Sequence, residues 1–384
     1  MTQTTPPEDM RMQRSSRDAA TVPAQLEGWL TGLLPEGAAP RVTLHSGIDA
    51  NGMSSETLVL DVDWTDPQAG AQRGEYVARV APAAGDLPVF PRYDLGEQYE
   101  AIRMVGERSG VPVPGLSFLE PTGEVLGTPF FLMERIDGVI PPDVLPYNFG
   151  GNWLADATVA QQRALQDATV ATIAELHGIA DPVTTFGFLD PAHHGHDGLS
   201  LLARNVARTR AWYDYAVADL GRSPLVERGL AWLEANIPTG PGARDEDAVL
   251  CWGDSRIGNM IYRDFAPVAV LDWEMAAIGP RALDLSWLCF AHQVFESIAS
   301  LMELPGMPDF LTEADVVATY ERLTGVEVGD LTWYHVYNGL QWCIVFMRTG
   351  ARQIHFGEIE RPDDIEALFH CKPLVERILA QAGA

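Results

Sequence analysis

Acidic and amide side chains with the spacing of a reactive site are concentrated between Leu250 and Trp287. Asp254 is followed five residues later by Asn259, across a short loop of sequence Ser-Arg-Ile-Gly. An apolar run typical of a buried strand then ends in Asp272, and Asp284 stands in a Leu-Asp-Leu step that opens another apolar run. Carboxylate and amide oxygens can hold Mg²⁺, and a carboxylate can also accept the proton of an attacking hydroxyl. The stretch therefore predicts a site that stabilises charge, as the transfer of a phosphoryl group requires.

The same stretch resembles the aminoglycoside phosphotransferase and small-molecule kinase family, whose motifs read HGDxxxxN, then D-x-E at a strand end, then a D-L step. The chain has WGDSRIGN, LDWE and ALDLSW in that order, with Trp252 in place of the usual histidine. The resemblance implies that Asp254 accepts the hydroxyl proton, that Asn259 and Asp272 hold Mg²⁺, and that ATP or GTP is the co-substrate. It covers most of the chain, from 42 to 350. In the alternative interpretation, Asp254 and Asn259 only form a turn and Asp272 only caps a helix. The occurrence of three motifs in the order of the family disfavours this alternative.

The resemblance also implies an α+β fold with two lobes, the protein-kinase-like fold, in which the nucleotide lies between a mixed sheet and a helical lobe. We predict a mobile tail at residues 1–25, an N-lobe at 26–137 and a helical C-lobe at 138–384, the last carrying the catalytic loop, metal site and acceptor site. Alternating and helical apolar patterns predict the elements of both lobes. The predicted strands are 42–44, 56–64, 75–81 and 128–138, and the main predicted helices are 25–34, 94–108, 201–220, 224–236, 286–302, 313–324, 332–349 and 363–380.

Arg79 is the candidate side chain for the nucleotide phosphates. Kinases carry a lysine at this point in the third strand, but the one lysine of this chain, Lys372, lies far along the sequence. Kinases also pair that cation with a glutamate on the following helix, yet Glu97 points away from the buried stripe of the predicted helix. We therefore expect Gln98 or Asp94 to orient Arg79, with Glu97 as the remaining option. An arginine at an exposed sheet edge is the alternative.

Two further segments are candidates for nucleotide contact. The glycine-containing link before the second strand ends in Ser54 and Ser55, and such a hairpin can bring its backbone amides close to phosphates. A hairpin that binds nothing is the alternative there. The strand at 128–138 resembles the family's segment that leads into the hinge between the lobes. This resemblance implies that the backbone of Met133, Glu134 and Ile136 meets the nucleotide base.

The composition limits the partners that the chain can have. It has 53 acidic and 26 basic residues, a formal net charge of −27, which disfavours binding to nucleic acid or to an anionic membrane. No apolar run approaches the roughly 20 residues of a membrane span, and the first residues lack the apolar core of a signal peptide. Four isolated cysteines predict buried thiols in a reducing cytoplasm. We expect a monomer or homodimer that binds a nucleotide and a small hydroxyl acceptor.

Structural roles are predicted for an aspartate and for the histidines. Asp284 stands between apolar residues ahead of a helix, so it must accept hydrogen bonds. We predict that it caps this helix or bonds to the loop amides near Trp252 and Gly253, and that it is not a metal ligand. His177 ends the family's L-x-x-L-H element and is predicted to be structural. A loop rich in Pro, Gly and Asp holds a histidine cluster without a partner motif, interpreted as solvated: His193, His194 and His196.

The sequence contains less information about the acceptor than about the other parts of the site. Segments 201–236 and 332–349 are rich in Trp, Tyr, Leu and Val, which suits an acceptor with an apolar body or, alternatively, a helical core. The runs GMSSETLVLDVDW, VPVP and PFFLMERIDG are most similar to kinase-like domains fused to acyl-CoA dehydrogenases, which implies hydroxyacyl acceptors. We predict transfer of the γ-phosphoryl group to a hydroxyl of an apolar or amphiphilic molecule. An aminoglycoside or macrolide kinase and a nucleotide-binding pseudokinase remain alternatives, and missing DFG and APE motifs disfavour a protein kinase.

Overall fold

The computed structural model describes residues 16–45, 54–190 and 198–384. Its strands are β1 (Arg41–Leu44), β2 (Glu56–Asp66), β3 (Gly70–Val80), β4 (Leu116–Glu120), β5 (Phe130–Glu134), β6 (Val249–Cys251), β7 (Met260–Arg263), β8 (Ala266–Val270) and β9 (Ala277–Gly279). Its helices are α1 (Val22–Thr31), α2 (Leu95–Arg108), α3 (Val159–His177), α4 (Pro182–Thr185), α5 (Leu201–Leu220), α6 (Pro224–Ala235), α7 (Ala282–Leu301), α8 (Glu313–Thr324), α9 (Thr332–His355) and α10 (Lys372–Ala382).

The N-lobe is built on a five-stranded antiparallel sheet of order β1-β2-β3-β5-β4. Side chains alternate between the two faces of each strand, so Leu60 and Ala78 face α1 and are fully buried against it. Arg79 pairs with Phe131 on the neighbouring strand and therefore lies on the opposite face. Phe131 packs there with Ile102 of α2. The sheet thus presents Arg79 on the side where α2 and the C-lobe lie.

The C-lobe is helical and is organised around α9. This helix is buried continuously from Trp333 to Ile344, and it packs against α5, α6, α7 and α10. Two small antiparallel sheets, β6 with β9 and β7 with β8, lie beside these helices. These sheets position the two predicted site residues, because β6 precedes Asp254 and β8 precedes Asp272. The α+β, two-lobed fold predicted from the sequence is therefore observed. The expected mixed sheet of the N-lobe is wrong, because every neighbouring strand pair in it runs antiparallel.

The beginning of the described chain differs from the predicted tail. Arg17 pairs with Glu56 of β2 at 2.8 Å, and α1 begins at Val22, whose side chain is fully buried. The segment 16–25 is therefore anchored to the N-lobe through Arg17 and Val22, although most of its residues are exposed, whereas residues 1–15 lie outside the described residues. Apolar burial explains the difference, because Val22 and Leu26 cover the sheet together.

Two helices of the C-lobe begin at residues other than those predicted. Helix α7 begins at Ala282, four residues before the predicted start at 286. Helix α10 begins at Lys372 rather than at 363, because Pro373 suits the first turn of a helix, and Ile365–Leu368 forms a separate 3-10 turn. Among the described helices, none combines the length and apolar character needed to cross a bilayer. All four cysteines are buried free thiols, as predicted.

Candidate active site

The loop that carries Asp254 is held in place by Asp284. The two oxygens of this carboxylate accept the backbone N–H groups of Trp252 and Gly253, both at 2.8 Å. Asp284 is completely buried, and it also bonds to Nε2 of His177 at 3.0 Å. Gly253 has a φ of 92° and lies against the carbonyl of Met275, where a Cβ would collide. The predicted bond between Asp284 and the loop amides is therefore confirmed.

Trp252 braces the same loop although it replaces the histidine of the family pattern. Its indole N–H donates to the carbonyl of Leu271 at 2.7 Å, and its side chain is 1% exposed. The ring also packs against Trp273, with 6.3 Å between the ring centroids. Because Leu271 directly precedes Asp272, the indole ties the loop of Asp254 to the end of β8. Trp252 thus supports the loop at the position where the family motif has a histidine.

Asp254 and Asn259 are brought together by the loop between β6 and β7. The side-chain amide of Asn259 donates to the backbone carbonyl of Asp254 at 3.1 Å, and the 3-10 turn Ile257–Asn259 closes the loop. The indole N–H of Trp287 donates to Oδ1 of Asp254 at 2.7 Å. Arg256 donates from Nε to the same oxygen at 3.1 Å. Two donors therefore fix the carboxylate that the sequence predicts as the proton acceptor.

Arg256 forms a buried ion pair with Asp143 on the other side of the loop. Burial disfavours the charge of Arg256, but Asp143 and Asp254 outweigh this cost, so its pKa is raised. Burial raises the pKa of Asp143, and the cation of Arg256 opposes that effect. A fixed positive charge therefore lies beside Asp254, where a transferring phosphoryl group would need one.

Arg79 crosses from the N-lobe to the turn that follows β8. Its guanidinium forms ion pairs with Asp272 and with Glu274, the latter at 2.8 Å. The side chain of Glu274 is 8% exposed, and burial raises its pKa to about 7 despite the opposing charge of Arg79. Asp272 lies next to Asn259, because the N–H of Leu271 donates to the carbonyl of Asn259 at 2.9 Å. The geometry thus places Arg79 beside the predicted metal ligands.

The prediction that a side chain of α2 orients Arg79 is wrong. Asp94 caps α2 by accepting the N–H of Glu97, and Glu97 pairs with Arg92 at 2.5 Å. Gln98 is buried in α2 and lines a cavity beside Glu274. The cation instead meets carboxylates of the C-lobe, because the turn after β8 reaches closer to β3 than these side chains of α2 do. Sequence spacing along α2 contains no information about this long-range contact.

The predicted phosphate-binding hairpin is described only at its end. Ser54 and Ser55 are both buried, and Ser54 donates its hydroxyl to Glu274. The hydroxyl of Ser55 is buried and has no hydrogen-bond partner among the described residues. The glycines before them, Gly47 and Gly52, lie outside the described residues, as do His193, His194 and His196.

The predicted hinge residues lie at the end of the N-lobe sheet. Met133 and Glu134 belong to β5, where Met133 pairs with Val77 on one side and Leu116 on the other. The N–H of Glu134 donates to the carbonyl of Gly115 at 2.7 Å, so this amide is already engaged. Ile136 follows the strand and is half-buried. Contact of this backbone with a nucleotide base stays a prediction, with Glu134 contributing at most its carbonyl.

A small cavity of about 40 Å³ lies between the lobes at Asp254. Its charged lining is Arg256, Asp254, Asp272 and Glu274. The remainder of its lining is mostly apolar and comes from the loop before α2, the turn after β8, α7 and α9: Val89, Phe90, Met275, Trp287, Trp342 and Val345. The site can therefore hold a charged reacting group against one wall and an apolar molecule against the other.

The oxygen atoms beside this cavity fit a Mg²⁺ ion. Oδ1 of Asp272 is buried and forms the ion pair with Arg79, so a cation is already the partner of this oxygen. Asn259 uses its amide N–H₂ group for the loop, which leaves its carbonyl oxygen as a ligand. A carboxylate and an amide oxygen are the donors that Mg²⁺ prefers. Asp272 and Asn259, the residues predicted from the sequence, would hold the ion.

A second group of residues whose side chains could bind a metal has a structural role. His177, Cys251 and Asp284 lie together and are buried. Both ring nitrogens of His177 are engaged, one by Asp284 and the other by the hydroxyl of Tyr320 at 2.9 Å. The thiol of Cys251 donates to the carbonyl of Pro280, and burial raises its pKa well above the ordinary value. The side chains of this group are thus engaged in hydrogen bonds within the protein, in agreement with the structural role predicted for His177.

Four site residues were not among the predicted ones: Asp143, Arg256, Glu274 and Trp287. Glu274 is the last letter of the D-x-E motif, and Arg256 lies inside the D-x4-N loop, so the motifs contain both residues. Trp287 comes three residues after Asp284 on α7 and hence on a neighbouring face, which helical spacing could have shown. Asp143 has no such signal, because it meets Arg256 only through the tertiary fold.

A sheet-based N-lobe joined to a helical C-lobe, with the loop of Asp254 and the predicted metal ligands between them, is the arrangement of the protein-kinase-like fold. Residues 65–304 match the family model described as "Phosphotransferase enzyme family". This match covers more than half of the chain, and the chain belongs to that family. It is therefore a phosphotransferase.

Known proteins agree with this assignment. A probable acyl-CoA dehydrogenase of Arabidopsis thaliana is 25% identical over 282 residues, which cover 68% of this chain and 31% of the relative. The chain thus spans less than a third of that relative's length. A solved putative aminoglycoside phosphotransferase from Ralstonia eutropha aligns with a TM-score of 0.62 and 20% identity, covering 94% of this chain and 98% of the other. An ethanolamine kinase of Plasmodium vivax aligns with a TM-score of 0.56 and 11% identity, covering 91% and 88%. These structures support the fold.

Proposed function

We propose that the chain transfers the γ-phosphoryl group of ATP or GTP, with Mg²⁺, to a hydroxyl of an apolar or amphiphilic small molecule. One observation carries the proposal: Asp254 and Asp272 line the same small cavity, and most of its remaining wall is apolar. Nucleotide binding alone does not require a carboxylate fixed by two donors in this cavity. The reducing environment suited to four free thiols agrees with a cytoplasmic location.

In this proposal each charged residue has a separate role. Asp254 orients the acceptor hydroxyl and takes its proton, since Trp287 and Arg256 hold its Oδ1. Asn259 and Asp272 would hold Mg²⁺, which would supply positive charge to the phosphates. Arg256 stabilises negative charge that develops beside Asp254, and Arg79 serves the nucleotide phosphates once it leaves Asp272.

The apolar wall favours one class of acceptor over another. A polycationic antibiotic is best held by several free carboxylates, and here Asp272 and Glu274 are paired with Arg79 while Asp254 is bonded to Arg256. The opposite wall offers aromatic and aliphatic surface from Trp287, Trp342 and other residues. An acceptor with an apolar body suits such a wall. The acyl-CoA dehydrogenase relative suggests hydroxyacyl compounds as the first acceptors to test.

Turnover of Mg·ATP and Mg·GTP tests the proposal with a mixed panel of acceptors: hydroxyacyl thioesters, macrolides, aminoglycosides and choline-like alcohols. We expect saturable transfer to a hydroxyacyl compound, and loss of about 10²–10⁴-fold in turnover in Asp254→Ala. Asp214→Ala is the matched control, because Asp214 is an exposed aspartate whose ion pair with Arg222 lies on the surface. Equal turnover in Asp254→Ala and wild type would reject the role of Asp254.

The panel also separates the alternative functions. Transfer to aminoglycosides alone would reject the apolar acceptor but keep the phosphotransferase. Nucleotide binding by calorimetry without transfer to any acceptor would favour a nucleotide-binding pseudokinase, in which Arg79 stays paired with Asp272 and Glu274.

A further inference from the structure

A second and larger cavity adjoins the one at Asp254. It has a volume of about 270 Å³ and lies among the loop before α2, helices α5 and α9, and the turn after β8. The two cavities share three lining residues, Phe90, Glu274 and Met275. A molecule that fills the larger cavity therefore lies directly beside the reactive one. The small cavity has room for only a few water-sized groups, so the body of an acceptor needs the larger space.

Phe90 and Trp212 form an aromatic wall of this cavity that is held in place by contacts with the C-lobe. Phe90 lies against Trp212 of α5, with 4.7 Å between the ring centroids. The indole N–H of Trp212 donates to the carbonyl of Val89 at 2.8 Å, and Nε of Arg348 donates to the carbonyl of Pro88 at 2.9 Å. The loop before α2 is thus fixed to the C-lobe. Its aromatic surface is preformed, as a site for an apolar chain requires.

Polar side chains of α5 and α9 also line the cavity. Gln341 of α9 donates to the hydroxyls of Thr209 at 3.2 Å and Tyr337 at 3.0 Å, which fixes its amide. Arg208 precedes Thr209 on α5 and is half-buried. Its Nη2 donates to Oδ1 of Asn205 at 3.2 Å. A guanidinium has five N–H donors, so Arg208 keeps donors for a ligand.

The charges of the cavity leave Arg208 as the group without a counter-ion. Glu97 and Asp94 also line it, but both pair with Arg92, at 2.5 and 3.4 Å. Glu274 pairs with Arg79 at 2.8 Å. Within the described ranges of the chain, no carboxylate lies within ion-pair distance of Arg208. A half-buried cation of this kind favours a negatively charged ligand.

We propose that this cavity binds the body of the acceptor and that Arg208 binds an anionic group on it. The inference rests on the proposed function, since it takes the hydroxyl at Asp254 as the reacting end. The acceptor class is then an amphiphilic hydroxy compound with an apolar middle and a carboxylate or phosphate at the other end. Such a molecule would place its hydroxyl in the small cavity and its apolar part against Phe90 and Trp212.

The test compares acceptors that differ only in the charge of the distal end. ω-Hydroxy carboxylates and ω-hydroxyalkyl phosphates of several chain lengths are compared with the neutral α,ω-diols of the same lengths. Binding is measured by calorimetry with Mg·ADP present, and transfer by kinetics with Mg·ATP. The wild type should prefer an anionic series, and Arg208→Gln should weaken binding of that series by about 10- to 100-fold while leaving the diols unchanged. Whichever anionic series loses more identifies carboxylate or phosphate as the group recognised.

Two variants control the test. Arg208→Lys keeps the charge and should retain most of the preference. Arg210→Gln removes an arginine two residues further along α5 that pairs with Glu234 at 2.6 Å, and it should behave like the wild type. Equal binding of diols and anions, an equal loss for both in Arg208→Gln, or no binding of any probe would overturn the inference. Binding that depends on charge and on Arg208, without transfer, would keep the inference and reject the proposed reaction instead.

Discussion

Replacing Asp284 by asparagine changes a single buried oxygen of the catalytic-loop support into an N–H₂ group. In the wild type, Oδ2 accepts the N–H of Trp252 and Oδ1 accepts the N–H of Gly253, both at 2.8 Å. An asparagine can satisfy one of these amides with its carbonyl oxygen. Whichever way the side-chain amide is turned, its N–H₂ group faces the other backbone N–H. The variant therefore loses one hydrogen bond to a charged acceptor and leaves a buried donor opposite a donor.

The magnitude follows from that loss. A hydrogen bond to a charged group contributes about 1.5–3 kcal/mol, and a buried unsatisfied donor costs about 1–3 kcal/mol, so we expect about 3 kcal/mol of destabilisation. With about 2.1 cal/mol/K per residue, a chain of 384 residues has an unfolding entropy of about 0.8 kcal/mol/K. The midpoint Tm of Asp284→Asn should therefore fall by about 4 °C. Mg²⁺ affinity should change less than about threefold, because Asp284 is not in the predicted metal shell.

Thermal unfolding and the Mg²⁺ dependence of nucleotide binding measure the two effects separately. Asp315→Asn is a matched control, since Asp315 also lies in the first turn of a helix but is 41% exposed and pairs with Arg163 at the surface. It should lower stability by at most about 0.5 kcal/mol. A loss of Mg²⁺ affinity in Asp284→Asn without a fall in Tm would refute the reasoning and make Asp284 a metal ligand.

The remaining predictions concern the side chains around Asp254. Trp287→Phe removes the indole N–H that bonds to Asp254 and should lower kcat by about tenfold in steady-state kinetics, with a nearly unchanged Tm. Burial raises the pKa of Glu274 from 4.5 to about 7, so the folded state binds this proton more tightly than the unfolded state does. The protonated Glu274 contributes its full stabilisation below pH 4.5, and this contribution is lost as the pH rises from 4.5 to about 7. Over this pH range, the Tm of the wild type without nucleotide should fall relative to the Tm of Glu274→Gln. Trp252→His loses the bond to Leu271 and leaves a cavity, and denaturant unfolding should show a loss of about 2–4 kcal/mol.

The catalytic loop could be predicted from the sequence because its geometry is local. Asp254 and Asn259 are five residues apart, so one tight turn brings the amide of Asn259 to the carbonyl of Asp254. The bond from Asp284 to the loop was also foreseeable, since a carboxylate among apolar residues needs donors and the loop amides are the nearest unpaired ones. Local spacing and the need to satisfy buried polar groups therefore carried this part of the site.

The partner of Arg79 could not be predicted in the same way. Helical spacing shows which residues of α2 face the core, but not how far α2 lies from the turn after β8. Glu274 reaches Arg79 only because the two lobes pack there, across 195 residues of sequence. Asp143 and Arg256 meet by the same kind of long-range packing. Contacts between lobes depend on the assembled core, and periodicity within one element does not contain them.

The ion pairs of Arg79 bear on how the site changes when a nucleotide binds. Asp254, Asp272 and Glu274 line one small cavity, and carboxylates this close repel each other unless a cation lies among them. In the structure Arg79 supplies that cation to Asp272 and Glu274. In the proposed reaction Arg79 would leave Asp272, one of the residues that would hold Mg²⁺, and its guanidinium would contact the phosphates. Arg79 would then be needed in both states. Its replacement by alanine should destabilise the free protein as well as weaken nucleotide binding, because a buried pair that loses one partner leaves an uncompensated charge.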